Sequence, residues 1–123
     1  MDEITDAIAA YATGFDFAGL TPETVDTAVD HIVDGFGCAV AGFGEEAAVI
    51  ARGMAAETPA PDVGASVFGI GGTYAPDHAA FANAVMMRCL DFNDTFNSLT
   101  GGHPSDMIAA ILTGAEIAGS DGN

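Results

Sequence analysis

Hydrophobic positions recur at helical spacing over most of the chain. Ile4, Ala7, Ile8 and Tyr11 stand at i, i+3, i+4 and i+7, one face of a helix over residues 3–14, with Gly14 as a fitting stop. Thr21-Pro22-Glu23 then forms a strong helix start. Threonine caps free amides, proline suits the first turn, and glutamate favours the positive end of the helix dipole. The helix it opens, over residues 22–41, carries Val25, Val29, Ile32, Val33, Phe36 and Val40 as one apolar stripe, the face expected to pack inward. Asp26, Asp30 and Asp34 line the opposite side. Gly35, Gly37 and Gly42 weaken a helix interior by about 1 kcal/mol each, and make sense where another helix packs closely.

Three more helices follow. Glu45-Glu46 opens one that runs to Glu57, and the prolines of Thr58-Pro59-Ala60-Pro61 end it. Residues 65–70 read as a short extended piece between Gly64 and Gly71-Gly72. Pro76 starts a fourth helix through Ala80, Ala84, Met87 and Leu90 that is apolar nearly all round, so it is expected to be buried on most sides. A last helix starts at Pro104, carries Ile108, Ile111, Leu112 and Ile117, and stops at Gly119. The pattern is all-α with one short extended segment near residues 65–70, within a single partial domain over 1–123.

Charge narrows the function. Eighteen Asp and Glu stand against two cations, Arg52 and Arg88, for a net charge of −16. Nucleic-acid binding rests on Lys and Arg neutralising phosphates, so that partner is excluded, as is an anionic membrane surface. A lysine-free acidic surface stays dispersed at high salt, which points to a salt-rich cytoplasm. Half the residues are hydrophobic, so the chain is not of the disordered type. No apolar run reaches a membrane span of about 18 residues, and the acidic N-terminus lacks the basic start of a signal peptide. Cys38 and Cys89 read as small buried hydrophobes. Two largely apolar helices near residue 123 leave more sticky surface than so short a chain covers, so further chain or a partner is expected. The chain is thus read as a fragment.

Candidate chemistry concentrates in residues 91–106, a polar loop between two apolar helices. It holds Asp91, Asn93, Asp94, Thr95, His103 and Ser105, with Gly101-Gly102 to turn the backbone. His103 precedes Pro104 and is expected at the cap of the last helix, whose free amides would favour a bound carboxylate. A calcium loop is excluded because its sixth position is Phe96 and its twelfth Gly102, and no cofactor or metal is expected. Acid–base chemistry fits better, since histidine titrates near neutrality and an aspartate can orient it. The competing reading is that Asp94 and Asp106 cap helices, Thr95 satisfies loop amides and His103 is a solvated cap residue. His31 and His78 read as structural. Gly69, Gly71 and Gly72 lack the Gly-Lys-Ser/Thr of a phosphate loop.

The segments Ala65-Ser66-Val67-Phe68-Gly69, Pro76 to Asn83, Leu90-Asp91-Phe92-Asn93-Asp94-Thr95 and Gly102-His103-Pro104-Ser105, together with Asp30 to Gly42, resemble the MmgE/PrpD family in the same order. That family includes 2-methylcitrate dehydratase and cis-aconitate decarboxylase. The resemblance implies the N-terminal part of a helical domain that continues into further helices and an α/β domain, in a homodimer. It implies a lyase for a small di- or tricarboxylate, with no iron–sulfur cluster. Asp91, Thr95 and His103 match catalytic positions, and Asn93, Asp94 and Ser105 lie beside them as the substrate-binding set. Asn93 departs from the family's aspartate there. Within this reading His103 moves the proton, Asp91 orients it or shares the work, and Thr95 holds a substrate carboxylate. Neither arginine falls in the loop, so cations for the substrate are expected from further chain or a partner. The alternatives are a non-catalytic acidic helical binding module and the remnant of a truncated gene. Dehydratase, decarboxylase and epimerase members share this segment.

Overall fold

A computed structural model describes residues 2–97, 99 and 101–120. Ser98 and Thr100 of the polar loop and residues 121–123 lie outside the described residues. Five helices follow in order: α1 (Glu3–Gly14), α2 (Pro22–Gly42), α3 (Glu46–Ala56), α4 (Pro76–Arg88) and α5 (Ser105–Ala118). Their ends are chemically marked. The Asp2 carboxylate takes the Ile4 and Thr5 amides at the start of α1, and Thr21 Oγ1 takes the Thr24 amide at the start of α2. Gly119, at φ 67°, closes α5 in the left-handed conformation that glycine adopts without a steric cost.

The fold is mostly helical, and α4 is its centre, with α2, α3 and α5 all packing against it. Alanines on α3 and α4 set these distances: Ala48, Ala51, Ala55, Ala79 and Ala82 are buried, and Met86 and Met87 fill the gaps left. At the crossing of α2 and α4 the backbones nearly touch. A Cβ on Gly42 would lie 2.6 Å from Cys89 Sγ and 2.7 Å from the Met86 carbonyl oxygen, so only glycine fits. A Cβ on Gly35 would meet Ile108 and Met87 at ordinary contact distance, and one on Gly37 would meet nothing within 4 Å.

The face that α2 turns inward is not its large apolar stripe. Val29, Ile32, Val33, Phe36 and Val40 are exposed, while Gly35, Cys38, Ala39 and Gly42 are buried. Close approach to α4 requires small residues, and that requirement outranks the larger apolar stripe. The apolar face of α1 is also exposed, at Ile4, Ile8 and Tyr11. Burial, followed by the negative charges of Asp34 and Asp94, pushes the Cys38 thiol up.

The extended segment near 65–70 is in fact one arm of a hairpin. β1 (Ala65–Ser66) pairs antiparallel with β2 (Thr73–Tyr74), a strand the hydrophobic pattern does not mark. Buried Asn83 on α4 completes the open edge: its amide donates to the Ser66 carbonyl, and its oxygen accepts from the Phe68 amide. Glu116 of α5 holds Ser66 from the other side, accepting from its amide at 2.8 Å. None of the helices among the described residues is long and apolar enough to cross a membrane.

Candidate active site

The polar loop leaves α4 through Asp91, whose φ of 49° makes it the one non-glycine residue with positive φ among the described residues. Aspartate tolerates this region better than bulky residues do. The Asp91 amide donates to the Arg88 carbonyl at 2.9 Å, and the chain turns there. Beyond Asp94 it forms a second hairpin, β3 (Phe96–Asn97) against β4 (Gly101–Gly102), where a polar loop turning at Gly101-Gly102 was expected. Phe96 pairs with Gly102. Continued by one residue, that register would bring Thr95 and His103, eight apart in sequence, to the hairpin's base.

Asp94 ties these parts together. Its side chain is 5% exposed, and its carboxylate accepts from the Ser105 hydroxyl at 2.5 Å, the Ser105 amide at 3.2 Å and Asn93 Nδ2 at 3.4 Å. His31 Nδ1 on α2 faces the same carboxylate at 2.7 Å. The Asp94 amide donates to Asp34 Oδ2, also on α2, at 2.9 Å. Burial alone would push this carboxyl up. The hydrogen bonds from Ser105 and Asn93 and the His31 charge outweigh it and hold the carboxyl below its ordinary value.

His103 is half-buried, and its Nδ1 lies 2.6 Å from the Asp94 carbonyl oxygen. A carbonyl only accepts, so Nδ1 carries the proton and Nε2 of the neutral ring keeps its lone pair. Of the two roles expected for Asp91, orienting His103 or sharing its acid–base work, the first falls here to the main chain of Asp94. Asp91 itself is 85% exposed and reaches Arg88 Nη2 at 3.5 Å. Thr95 is exposed. Ser105 is fully buried and Asn93 nearly so, and they bond to each other at 2.5 Å.

Arg88 changes the expected charge layout. It lies on α4, outside the loop in sequence, yet its Nη1 donates to Asn93 Oδ1 at 2.6 Å and its Nε meets Asp106 at 3.2 Å. A cation is therefore present at the loop, shared among Asp91, Asn93 and Asp106. Arg52 is spent elsewhere, 3.6 Å above the Phe43 ring and donating to the Phe43 carbonyl. Of the amides at the start of α5, expected to favour a bound carboxylate, that of Ser105 already donates to the Asp94 carboxylate, and those of Asp106 and Met107 donate to the His103 and Pro104 carbonyls. Among the described residues no three His, Cys, Asp or Glu side chains form a metal-binding group.

Sequence reasoning placed His31 and Asp34 outside this site. Their spacing of i, i+3 on α2 puts both beneath Asp94. The available signal was the series His31, Gly35, Cys38, Gly42, which recurs at helical spacing and is the face α2 presents to the core. Beside it lies a groove of about 390 Å³ lined by Glu23, Thr24, Thr27, Ala28, His31, Phe96 and Pro104. The apolar groove around Phe36, Val40, Phe43 and Phe68 is lined by none of the loop residues.

A family model described as the MmgE/PrpD N-terminal domain matches residues 6–123. A 2-methylcitrate dehydratase from Cupriavidus necator is 33% identical over 116 residues, 94% of this chain and 23% of that protein. One from Salmonella typhi is 35% identical over 91 residues, 74% of this chain and 19% of that protein. One from Escherichia coli (strain K12) is 49% identical over 41 residues, 33% of this chain and 8% of that protein. The chain thus spans less than a quarter of the length of these relatives. No solved structure matches it. With all but its first five residues covered by that model, the chain belongs to the MmgE/PrpD family, as N-terminal domain sequence.

Proposed function

We propose that the loop forms part of the active site of a lyase that dehydrates a small di- or tricarboxylate such as 2-methylcitrate. The observation that carries this reading is the bond from His103 Nδ1 to the Asp94 carbonyl, which leaves Nε2 as a proton acceptor. In the proposed reaction His103 Nε2 takes the proton alpha to a substrate carboxylate. The electron pair forms the carbon–carbon double bond as the hydroxyl leaves, protonated to water by an acid. Asp91 is exposed at the loop's entrance and shares the acid–base work; Thr95, just before β3 at the hairpin's base, donates to a substrate carboxylate.

Asn93, Asp94 and Ser105 support the site by holding the loop on α2 and α5, while their own polar atoms are spent on one another. Arg88 is the cation on this chain nearest to that role and is shared by two carboxylates, so further cations for the substrate come from elsewhere in a homodimeric, cytoplasmic enzyme. The acid–base route needs no metal, in keeping with a loop whose spacing fails the calcium pattern at Phe96 and Gly102.

His103→Ala tests the reading. In the complete enzyme it should lower 2-methylcitrate dehydration by roughly 10²–10⁴-fold with the circular dichroism spectrum unchanged. Unchanged turnover would remove His103 from the reaction. The 123-residue chain by itself is expected to be inactive.

A further inference from the structure

Two histidines on different elements meet the same residue. His31 of α2 faces the Asp94 carboxylate at 2.7 Å, and His103 faces the Asp94 carbonyl at 2.6 Å. We infer that His31 is a positioning residue: through Asp94 it fixes the orientation and tautomer of His103. This inference rests on the proposed role of His103 for its functional meaning, though not for its test.

The geometry carries it in three steps. A carboxylate has no proton to give, so His31 Nδ1 must be the donor whether its ring is neutral or cationic. The same aspartate is pulled from below a second time, by its amide donating to Asp34 Oδ2 at 2.9 Å. α2 therefore grips Asp94 at two points, side chain and main chain. From the α5 side, Ser105 holds the carboxylate with its amide and hydroxyl. With the carboxylate fixed between the two helices, the Asp94 carbonyl has one direction in which to point, and His103 is bonded to it.

Loss of the His31 donor leaves Ser105 and Asn93 as the remaining partners of the carboxylate. Only the amide bond to Asp34 then ties Asp94 to α2, and the carboxylate is drawn toward α5 by Ser105. The carbonyl moves with it, and the bond that keeps the proton on His103 Nδ1 is broken. The groove bounded by His31, Thr24, Thr27, Phe96 and Pro104 gives the residue room to be replaced without crowding its neighbours.

The test is a long-range proton–nitrogen correlation spectrum of the ¹⁵N-histidine-labelled full chain, at a pH where His103 is neutral. The intact chain should show His103 in the Nδ1–H form. His31→Asn keeps a donor at the position of Nδ1 and should leave that form in place. His31→Ala removes the donor and should give a mixture of the two tautomers, while the amide shifts of α3 and the centre of α4 stay put. Should His31→Ala fail to fold, His31→Phe keeps the ring volume without the donor and is read in the same way. A pure Nδ1–H form of His103 in the variant without a donor would overturn the inference, and so would a mixture in His31→Asn. Either result leaves the assignment of His103 as the acting base intact. Conversely, a fully active His103→Ala enzyme would cancel that assignment and leave the coupling standing.

Discussion

Asp91 and Asp94 lie three residues apart in one loop and live in opposite surroundings. Asp94 is buried between α2 and α5, takes bonds from His31, Asn93 and Ser105, and is held in its charged form. Asp91 is 85% exposed, sits in a left-handed turn, and meets Arg88 at 3.5 Å. The difference shows how one loop can hold itself in place with one half and leave the other half's polar atoms open. Its inner half, from Asn93 to Asp94 and on to Ser105, consumes its polar atoms in holding the loop. Its outer half, Asp91 and Thr95 with His103 behind them, keeps polar atoms available.

That division can be broken from either side. The largest effect belongs to the outer half and is seen in turnover: Asp91→Asn should slow the complete enzyme by roughly 10²-fold, with its urea unfolding curve unmoved. Equal losses in both assays would make Asp91 another holding group. Next comes the inner half. Ser105→Ala removes a buried donor and leaves the Asp94 carboxylate and the Asn93 amide short of a partner, for a loss of about 2 kcal/mol in urea unfolding. A change within experimental error would show that the cluster is not buried as described.

A smaller effect is expected from Asn93→Asp. It sets a second carboxylate beside that of Asp94 and replaces a donor to Ser105 by an acceptor. Arg88 Nη1, 2.6 Å away, offsets part of this, leaving about 1 kcal/mol of destabilisation. The same variant combined with Arg88→Met should lose clearly more than the sum of the two. Simple additivity would mean that Arg88 does not act on this position.

The smallest effect at neutral pH comes from acid. The folded Asp94 carboxyl titrates below its unfolded value of 3.8, so its contribution is complete above that value and is lost as pH falls below it through the folded one. Unfolding free energy should therefore drop on acidification below about pH 4, and drop less in Asp94→Asn than in the intact chain. An identical acid dependence in both would assign the loss to other carboxylates.

Much of the helical frame was legible because its ends carry local chemistry. Thr21 before Pro22 and Gly119 after α5 mark their termini through capping and left-handed geometry, which need only neighbouring residues. The face of α2 was not legible. Its large apolar stripe carries the stronger pattern, yet the face that packs is His31, Gly35, Cys38, Gly42, chosen by how closely α4 approaches at Met86 and Cys89. Such a distance is a property of two helices and appears in neither one's periodicity. The hairpin β3–β4 was not legible for a related reason: Phe96-Asn97 and Gly101-Gly102 are too short to alternate, and only their pairing brings the two ends of the loop together. The loop itself was visible from composition, but the division of labour among its carboxylates depends on α2, sixty residues away at Asp34.

The most direct test is to compare equilibrium urea unfolding of Asp94→Asn and Asp91→Asn with that of the intact chain. Asp94→Asn should lose roughly 2 kcal/mol, the scale of replacing a buried charged acceptor of several hydrogen bonds by a neutral one, and Asp91→Asn less than about 0.5 kcal/mol. Equal losses, or the larger loss at Asp91, would contradict the account, because the loop would then have no holding half.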